Sequence, residues 1–560
     1  MNFRGSIAFI GVFCVAGALF AKTDESRWCG TKGVARTQYM LKMHEQRKEK
    51  PAGIQAAMPH INTDIGEIAV IEGTDSTIVT PNPFDISGKK VIITEPSSGV
   101  YNMKIRNGSV SGTQGSSITL GDDDSLKVDF TSGFAFPFYG TTYTSVFINS
   151  DGNLTFTEKD DASSPRDVFR TLEGPPRVAG FFSDLDPSSK GEVKVLQSST
   201  KFRVTWKDVT EFGGSNSNTF QITLFKNGNI QIVFGQTVET GAAIVGISPG
   251  NTSPGDSTFV DFSETGPVKG FSNAILERFA TERDLDYIAL IQEFHDTHPQ
   301  IFDLVTIFTD SRYLQGSGAF AFFSSIQNHD EGIGLPIFDF SEFFGSDKIQ
   351  GFLMMESIVK YPADVNTDFL GTNNTLDIMG QETGHRWMAY PRAVISGVPS
   401  TEILGRDLSH WNFFLDSDAS DMEGNDWQDN GNGTFTTIAA TEQFSKLDRY
   451  LMGLIPPSQV PPFFLVRAAG NPGDAPAVGV TVTGTRVDVT VDDVIAAEGA
   501  RNPSSAASQK KWKQAFIYFI EPGTNPDPAR LAQVDLIRRK WQSYFRAATG
   551  RKGKITTKLP

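Results

Sequence analysis

The residues best suited to chemistry lie between Leu376 and Tyr390, in the run Leu-Asp-Ile-Met-Gly-Gln-Glu-Thr-Gly-His-Arg-Trp-Met-Ala-Tyr. Thr375 can cap a helix over this run. Positions 381 and 385 are four apart and project from one helical face, with Glu382 one step round. In a His-Glu-x-x-His helix two imidazoles at that spacing hold zinc, and the glutamate is general base toward a zinc-activated water. Here position 381 is Gln. An amide oxygen is a poor substitute for an imidazole nitrogen. Losing one ligand should remove several kcal/mol from the roughly 10–16 kcal/mol with which small structural zinc sites bind. It also weakens the polarisation that brings zinc-bound water to a pKa near 7. Reduced or absent catalysis is therefore the physical default. Two arrangements escape it: Gln381 ligates through its oxygen with a carboxylate completing the shell, or a shifted helix lets Glu382 ligate.

Further blocks follow in order: Leu404-Gly-Arg-Asp-Leu-Ser-His-Trp411, Asp416-Ser-Asp-Ala-Ser420, Met422-Glu-Gly-Asn425, Gly433-Thr-Phe435 and Leu447-Asp-Arg-Tyr-Leu-Met-Gly453. Together with Gly384-His-Arg-Trp387 they resemble secreted bacterial zinc metallopeptidases of the His-Glu-x-x-His superfamily, over roughly residues 270–550. The resemblance implies an α+β zincin-like domain that hydrolyses peptide bonds of a protein or peptide substrate. It implies Glu382 as general base, His385 as a zinc ligand, and His410 or Glu423 as the third protein ligand beside position 381. His410 is preferred, because its block has little structural reason to hold an imidazole; the alternative is a histidine packed beside Trp411. Met452 could lie in a turn beneath the metal or be a plain core residue. The oxygen-rich stretch from Asp416 to Gly433 could suit calcium, with Asp416, Asp418 and Asp421 as candidate ligands. It departs from an EF-hand loop, having Asp421 where Gly is needed and Trp427 where a bidentate Glu is needed. His44, His60, His295, His298 and His329 have no partners at ligand spacing and read as structural.

Composition bounds what else the chain can be. It has 50 Lys and Arg against 65 Asp and Glu, a net charge of -15, which argues against nucleic acid as a partner. Residues 501–560 hold 13 basic and three acidic side chains, so a basic end is set against an acidic body. Two cysteines, Cys14 and Cys29, exclude a disulfide scaffold and a thiolate cluster, so a metal must use His, Asp or Glu. Cys29 is far in sequence from any base, and no serine sits in a nucleophile-elbow pattern, so no covalent nucleophile is implied. Arg4, the apolar stretch from Ile7 to Phe20 and the small Ala21 read as a bacterial secretory signal peptide over residues 1–21. No later stretch is apolar enough to span a membrane, so the mature chain is expected to be secreted.

The elements that must position these residues divide the chain. Residues 22–64 read as a pro-segment or linker, with a helical patch around Leu41–Lys50. Residues 65–262 read as a β-sandwich region, alternating and punctuated by turns. Its clearest hairpin joins Phe220–Phe225 to Ile230–Phe234 through Lys226-Asn-Gly-Asn229. The pieces Phe136-Pro-Phe-Tyr-Gly140, Val146-Phe-Ile-Asn-Ser-Asp-Gly-Asn-Leu-Thr-Phe156, Ala179-Gly-Phe-Phe-Ser-Asp-Leu-Asp186, Val204-Thr-Trp206 and Gly246-Ile-Ser-Pro249 complete a pattern similar to the nidogen-type (NIDO) extracellular β-domain, over about 120–255. That resemblance implies a binding module with an extracellular-matrix or cell-surface partner. Asp184 and Asp186 read as a solvated turn or a cation site. From Ala274 to Thr297 apolar residues recur at helical spacing. Strands are expected at Phe302–Phe308, near Gly318–Ser324 and at Ile349–Met355, and an amphipathic closing helix carries Leu531, Val534, Ile537, Trp541 and Phe545. Residues 551–560 form a tail. Two functions stay open: a zinc-dependent endopeptidase, or a non-catalytic extracellular binding protein, a pseudoenzyme that keeps the peptidase fold because Gln381 has replaced the first ligand.

Overall fold

The computed structural model describes residues 29, 31–49, 60–235, 242–313 and 319–560. The signal peptide expected at 1–21 lies outside the described residues. No helix is long and apolar enough to cross a membrane.

Two large sheets pack face to face over the middle of the chain. One runs in the order 258–259, 275–280, 242–248, 177–182, 153–155, 145–149, 125–129, and the other in the order 268–271, 100–107, 89–97, 230–234, 218–225, 201–211, 192–197, 116–118. Their inward residues alternate with outward ones and share one aromatic-rich core, in which Phe136 stacks on Phe156 and Trp206 stacks on Phe220. This is the expected β-sandwich. The hairpin forms in the expected register, with Phe220 opposite Phe234 and Leu224 opposite Ile230, and Gly228 takes φ +84° in its turn. Ile275–Ala280 belongs to this body. The helical spacing read from Ala274 onward is corrected here, because Ile275-Leu-Glu-Arg-Phe-Ala280 pairs antiparallel with Ala242–Ser248 and only Tyr287–Thr297 is helical. A buried strand and a buried helix segment look alike by periodicity alone.

The sandwich is inserted into a second body. Strand Ile68–Glu72, which the sequence reading placed at the start of the β region, pairs in parallel with Lys511–Ile520 near the chain's other end. Lys511–Ile520 pairs in parallel with Leu304–Thr309, and that strand with Gly351–Ser357. Phe322–Ser325 closes one edge antiparallel and Asn62–Ile65 the other. The three strands expected from sequence at Phe302–Phe308, near Gly318–Ser324 and at Ile349–Met355 are present, the second of them on the sheet edge. Alternate residues of this sheet split between two cores. Val70, Phe308, Leu353 and Phe516 face the helices Thr375–Gly384 and Pro528–Ala548, whereas Ile71, Ile307, Phe352 and Ile517 face Tyr287–Thr297. The closing helix buries Leu531, Val534, Ile537, Trp541 and Phe545 as its spacing requires.

A helix over Gly33–Glu49 wedges between the two bodies. Met40 and Leu41 enter the core around Tyr287–Thr297, and Tyr39 meets Phe169 and Phe259 of the sandwich edge-on. Asp286 fastens it, accepting from His44 at 2.8 Å and from Arg47 at 2.7 Å. The segment read as a pro-segment or linker is thus folded onto both bodies.

Candidate functional site

The site helix is shorter than expected. Asn374, not Thr375, is its cap, in a reciprocal box with Asp377, and it ends at Gly384 with His385 as the last, half-helical residue. There is no room for a straight continuation of side chains, since a Cβ on Gly384 would stand 2.2 Å from the Met422 sulfur. The chain instead turns, and Tyr390 donates its hydroxyl to the His385 carbonyl at 2.8 Å. Leu376, Ile378 and Met379 pack toward the sheet.

His385 and His410 meet, their ring centroids 4.8 Å apart and perpendicular, and both are fully buried. Each has Nδ1 tied to a backbone carbonyl: His385 to Met388 at 3.1 Å, His410 to Arg406 at 2.9 Å. Donation there fixes the tautomer and leaves each Nε2 as an acceptor, which faces the Cys29 thiol at 3.2 Å in His385 and the Arg406 guanidinium at 3.2 Å in His410. Burial holds both rings below the usual histidine range, and for His410 the Arg406 charge lowers it further, so both are neutral.

The third member was not foreseen. Cys29 Sγ lies 3.2 Å from His385 Nε2 and 3.3 Å from Glu382 Oε2. One ligand atom each from Cys29, His385 and His410 all lie within 4.8 Å of one another. Ligands about 2.0–2.3 Å from a tetrahedral zinc stand about 3.3–3.7 Å apart, so a thiolate and two imidazoles placed like this fit the ion. Cys29, read as far in sequence from any base, is thus in contact with Glu382 across 353 residues of sequence, and a thiol joins the candidate donors. No local signal could have found it.

Glu382 is buried beside this cluster. Its Oε2 also accepts the Thr31 hydroxyl at 3.1 Å, while Oε1 has no partner among the described residues. Burial pushes its carboxyl well above the ordinary range, and the neighbouring Cys29 adds to this. Gln381 donates its amide to Glu423 at 3.0 Å, and the same Glu423 oxygen lies 3.6 Å from His410 Nε2. Glu423 also pairs with Arg406, and that guanidinium stands 3.2 Å from His410 Nε2 and donates to the Cys29 carbonyl at 3.2 Å. Position 381 and Glu423 therefore flank the cluster as a polar pair. Met388 and Met422 crowd the end of the site helix, whereas the turn at Met452 is tied to Arg501, which donates to the Leu451 carbonyl at 2.6 Å.

The candidate calcium ligands do not converge. Asp416 accepts from the Trp427 amide at 3.1 Å, and Asp421 is buried against the Tyr544 hydroxyl at 2.9 Å, spent on fixing the closing helix. Asp418 sits at φ +57° next to Ala419, and the three offer no shared point to a cation. In the sandwich Asp184 pairs with Arg166 at 2.9 Å and Asp186 caps Ser188 and Ser189. The other five histidines each have a polar partner: His44 with Asp286, His60 with Glu293, His298 with Asp64, His329 with Asp339, and His295 with the Phe344 carbonyl.

A cleft of about 1640 Å³ opens next to Arg406, between the bodies, lined by Asp123, Arg166, Phe212, Glu402, Phe414 and Arg467 among others.

Residues 95–279 match the family model described as NIDO related, wider than the 120–255 read from sequence and coincident with the sandwich. Over 135 residues the chain is 27% identical to alpha-tectorin of Homo sapiens and 26% to that of Mus musculus, covering 19% of this chain and 6% of each relative. The chain thus matches only a small part of those relatives' length. No solved structure matches.

Proposed function

We propose that the protein is an extracellular zinc-dependent endopeptidase whose NIDO-related domain binds a matrix or cell-surface partner. The observation that carries the hydrolase reading is the pair of neutral imidazoles, each with Nδ1 anchored on a backbone carbonyl and a ring nitrogen within 4.8 Å of the other's and of the Cys29 sulfur, with Glu382 beside that sulfur. Bound zinc supplies Lewis acidity there, polarising a carbonyl and acidifying water.

The chain's own residues do the rest. His385 and His410 hold the ion. Glu382, whose Oε1 has no partner among the described residues, takes a proton from the attacking water and returns it to the leaving amine. The antiparallel edge strand Phe322–Ser325 runs beside the site helix and is the rail on which an extended peptide would add as a further strand. Gln381 and Glu423 flank the ion as a pair. The binding-protein alternative draws on this same detail, since Gln381 spends its amide on Glu423 and offers no nitrogen to a metal.

Casein or gelatin cleavage, assayed on intact chain and after limited proteolysis of the N-terminal segment, separates the two. Glu382→Ala is expected to lower the rate about 10²–10⁴-fold. Gln381→His should raise zinc retention. Equal cleavage by wild type and Glu382→Ala, or zinc-loaded protein that cleaves nothing in either form, would leave only the binding role.

A further inference from the structure

The N-terminal segment fills the place that the hydrolase reading assigns to substrate. Cys29 pairs with Ala321 as a parallel β-bridge at the edge of the sheet. Two residues on, the Thr31 hydroxyl accepts the Phe323 amide at 2.8 Å and donates to Glu382 at 3.1 Å, so it satisfies an edge amide and engages the base together. Thr37 donates to the Ser325 carbonyl at 2.6 Å, and Arg36 lies over the Phe322 ring at 4.0 Å. Lys32 pairs with Asp407 at 3.1 Å, beside the Arg406 that holds the Cys29 carbonyl. Edge strand, general base and imidazole pair are thus covered by one stretch of chain, whose Cys29 sulfur lies 3.2 Å from His385 Nε2 and within 4.8 Å of a His410 ring nitrogen. Cys29 and Thr31 are almost wholly enclosed, at 2% and 1% exposure.

We infer that Cys29 is a removable ligand of this site: its thiolate completes a Cys-His-His zinc centre while the segment carrying it blocks the sheet edge, and the chain is latent until that segment leaves. The inference rests on the hydrolase reading for what is being restrained, but the ligation stands or falls separately. On metal binding the Cys29 S–H bond breaks, a sulfur–metal bond forms, and the proton is released to solvent. No oxidant or reductant is consumed. Glu382 is hydrogen-bonded to the same segment through Cys29 and Thr31, so the general base is engaged in the same state in which the coordination position is filled. Withdrawal of the segment frees both. It also explains why Gln381 is tolerated: a thiolate is a stronger ligand than an amide, so metal can be acquired during folding without a third imidazole.

The test is the absorption spectrum of the full-length chain loaded with cobalt(II) in place of zinc. Wild type should show a thiolate-to-cobalt charge-transfer band. Cys29→Ser should lack it while keeping the weaker cobalt bands of the imidazoles, and should hold the metal at least about 100-fold more weakly. Limited proteolysis that releases the N-terminal segment should abolish the band and raise peptide cleavage together. Cobalt bound with no charge-transfer band in wild type would overturn the ligation and leave the hydrolase reading standing. A band without cleavage after release would support the ligation and remove the hydrolase reading. Failure to bind cobalt or zinc at all would overturn both. The wild-type spectrum decides the first point even if the serine variant does not fold.

Discussion

Arg177 in the β-sandwich and His385 in the α/β body are both fully enclosed side chains with a polar end, and their surroundings differ in kind. Arg177 pairs with Asp160, donates to Asn153 at 2.8 Å and lies 4.8 Å from the Phe182 ring, while Arg170 holds the same Asp160 at 2.6 Å. Burial alone would raise the Asp160 carboxyl, but the two guanidinium groups outweigh it and bring it below the usual range. The site of the α/β body instead encloses a thiol, two neutral imidazoles and a carboxyl with an unpartnered oxygen. One cluster is built on opposite charges that together bring a buried carboxyl down, whereas the other gathers a thiol, two imidazoles and a carboxyl raised by burial, with the Arg406–Glu423 pair at its side. The two differ in whether a charged partner offsets the cost of enclosing the carboxyl.

The largest test of that contrast is Glu382→Gln. In the α/β body the change should cost about 10²–10⁴-fold in peptide cleavage while leaving the melting temperature unchanged or higher, because a buried carboxyl with an idle oxygen contributes no stability. Calorimetry and a cleavage assay on the same sample check it, and a loss of stability in step with activity would mean that Glu382 is structural. In the sandwich the opposite is expected. Arg177→Ala should remove about 3–5 kcal/mol of stability by stranding Asp160, whereas Arg177→Met combined with Asp160→Leu should recover most of it. Denaturant unfolding reads both, and neither variant should alter cleavage by protein that remains folded.

How much of this was readable from sequence follows the range of each interaction. The hairpin around Asn227-Gly228, the two inner strands Leu304–Thr309 and Gly351–Ser357, the edge strand Phe322–Ser325 and the closing helix rest on local period and turn chemistry, and they form where the pattern places them. Ile275–Ala280 was misread because six apolar-rich residues fit a buried strand and a helix turn alike. The insertion of the sandwich was invisible, since Ile68–Glu72 finds its partner only at Lys511–Ile520. The motif at 381–385 lies on the helix whose end brings His385 beside His410 and Cys29. Cys29 lies 353 residues from Glu382 in sequence, and such a pairing leaves no trace in spacing.

The smallest expected effect probes the exception within the sandwich. Glu277 is buried without a counter-ion, accepting from Asn82 at 3.0 Å and from the Phe262 amide at 2.6 Å, and burial pushes its carboxyl up to about 8 despite those two donors. A carboxyl raised in the folded state is protonated there while the unfolded chain is already ionised. Its contribution is therefore fully favourable below the ordinary glutamate range, near 4.5, and is lost progressively as pH rises to about 8. Sandwich stability should accordingly fall between pH 5 and 8 by roughly 1–3 kcal/mol, discounted for relaxation and water entry around a group of this kind. Glu277→Gln should flatten that slope whatever offset it introduces, because Gln has no proton to lose over the interval. Unfolding followed at several pH values, with sandwich and α/β transitions resolved by separate probes, gives the slope directly. A slope unchanged by the substitution would place the titration elsewhere, and Asp151, raised to about 6 by burial against the pull of Arg166, would be the next residue to replace.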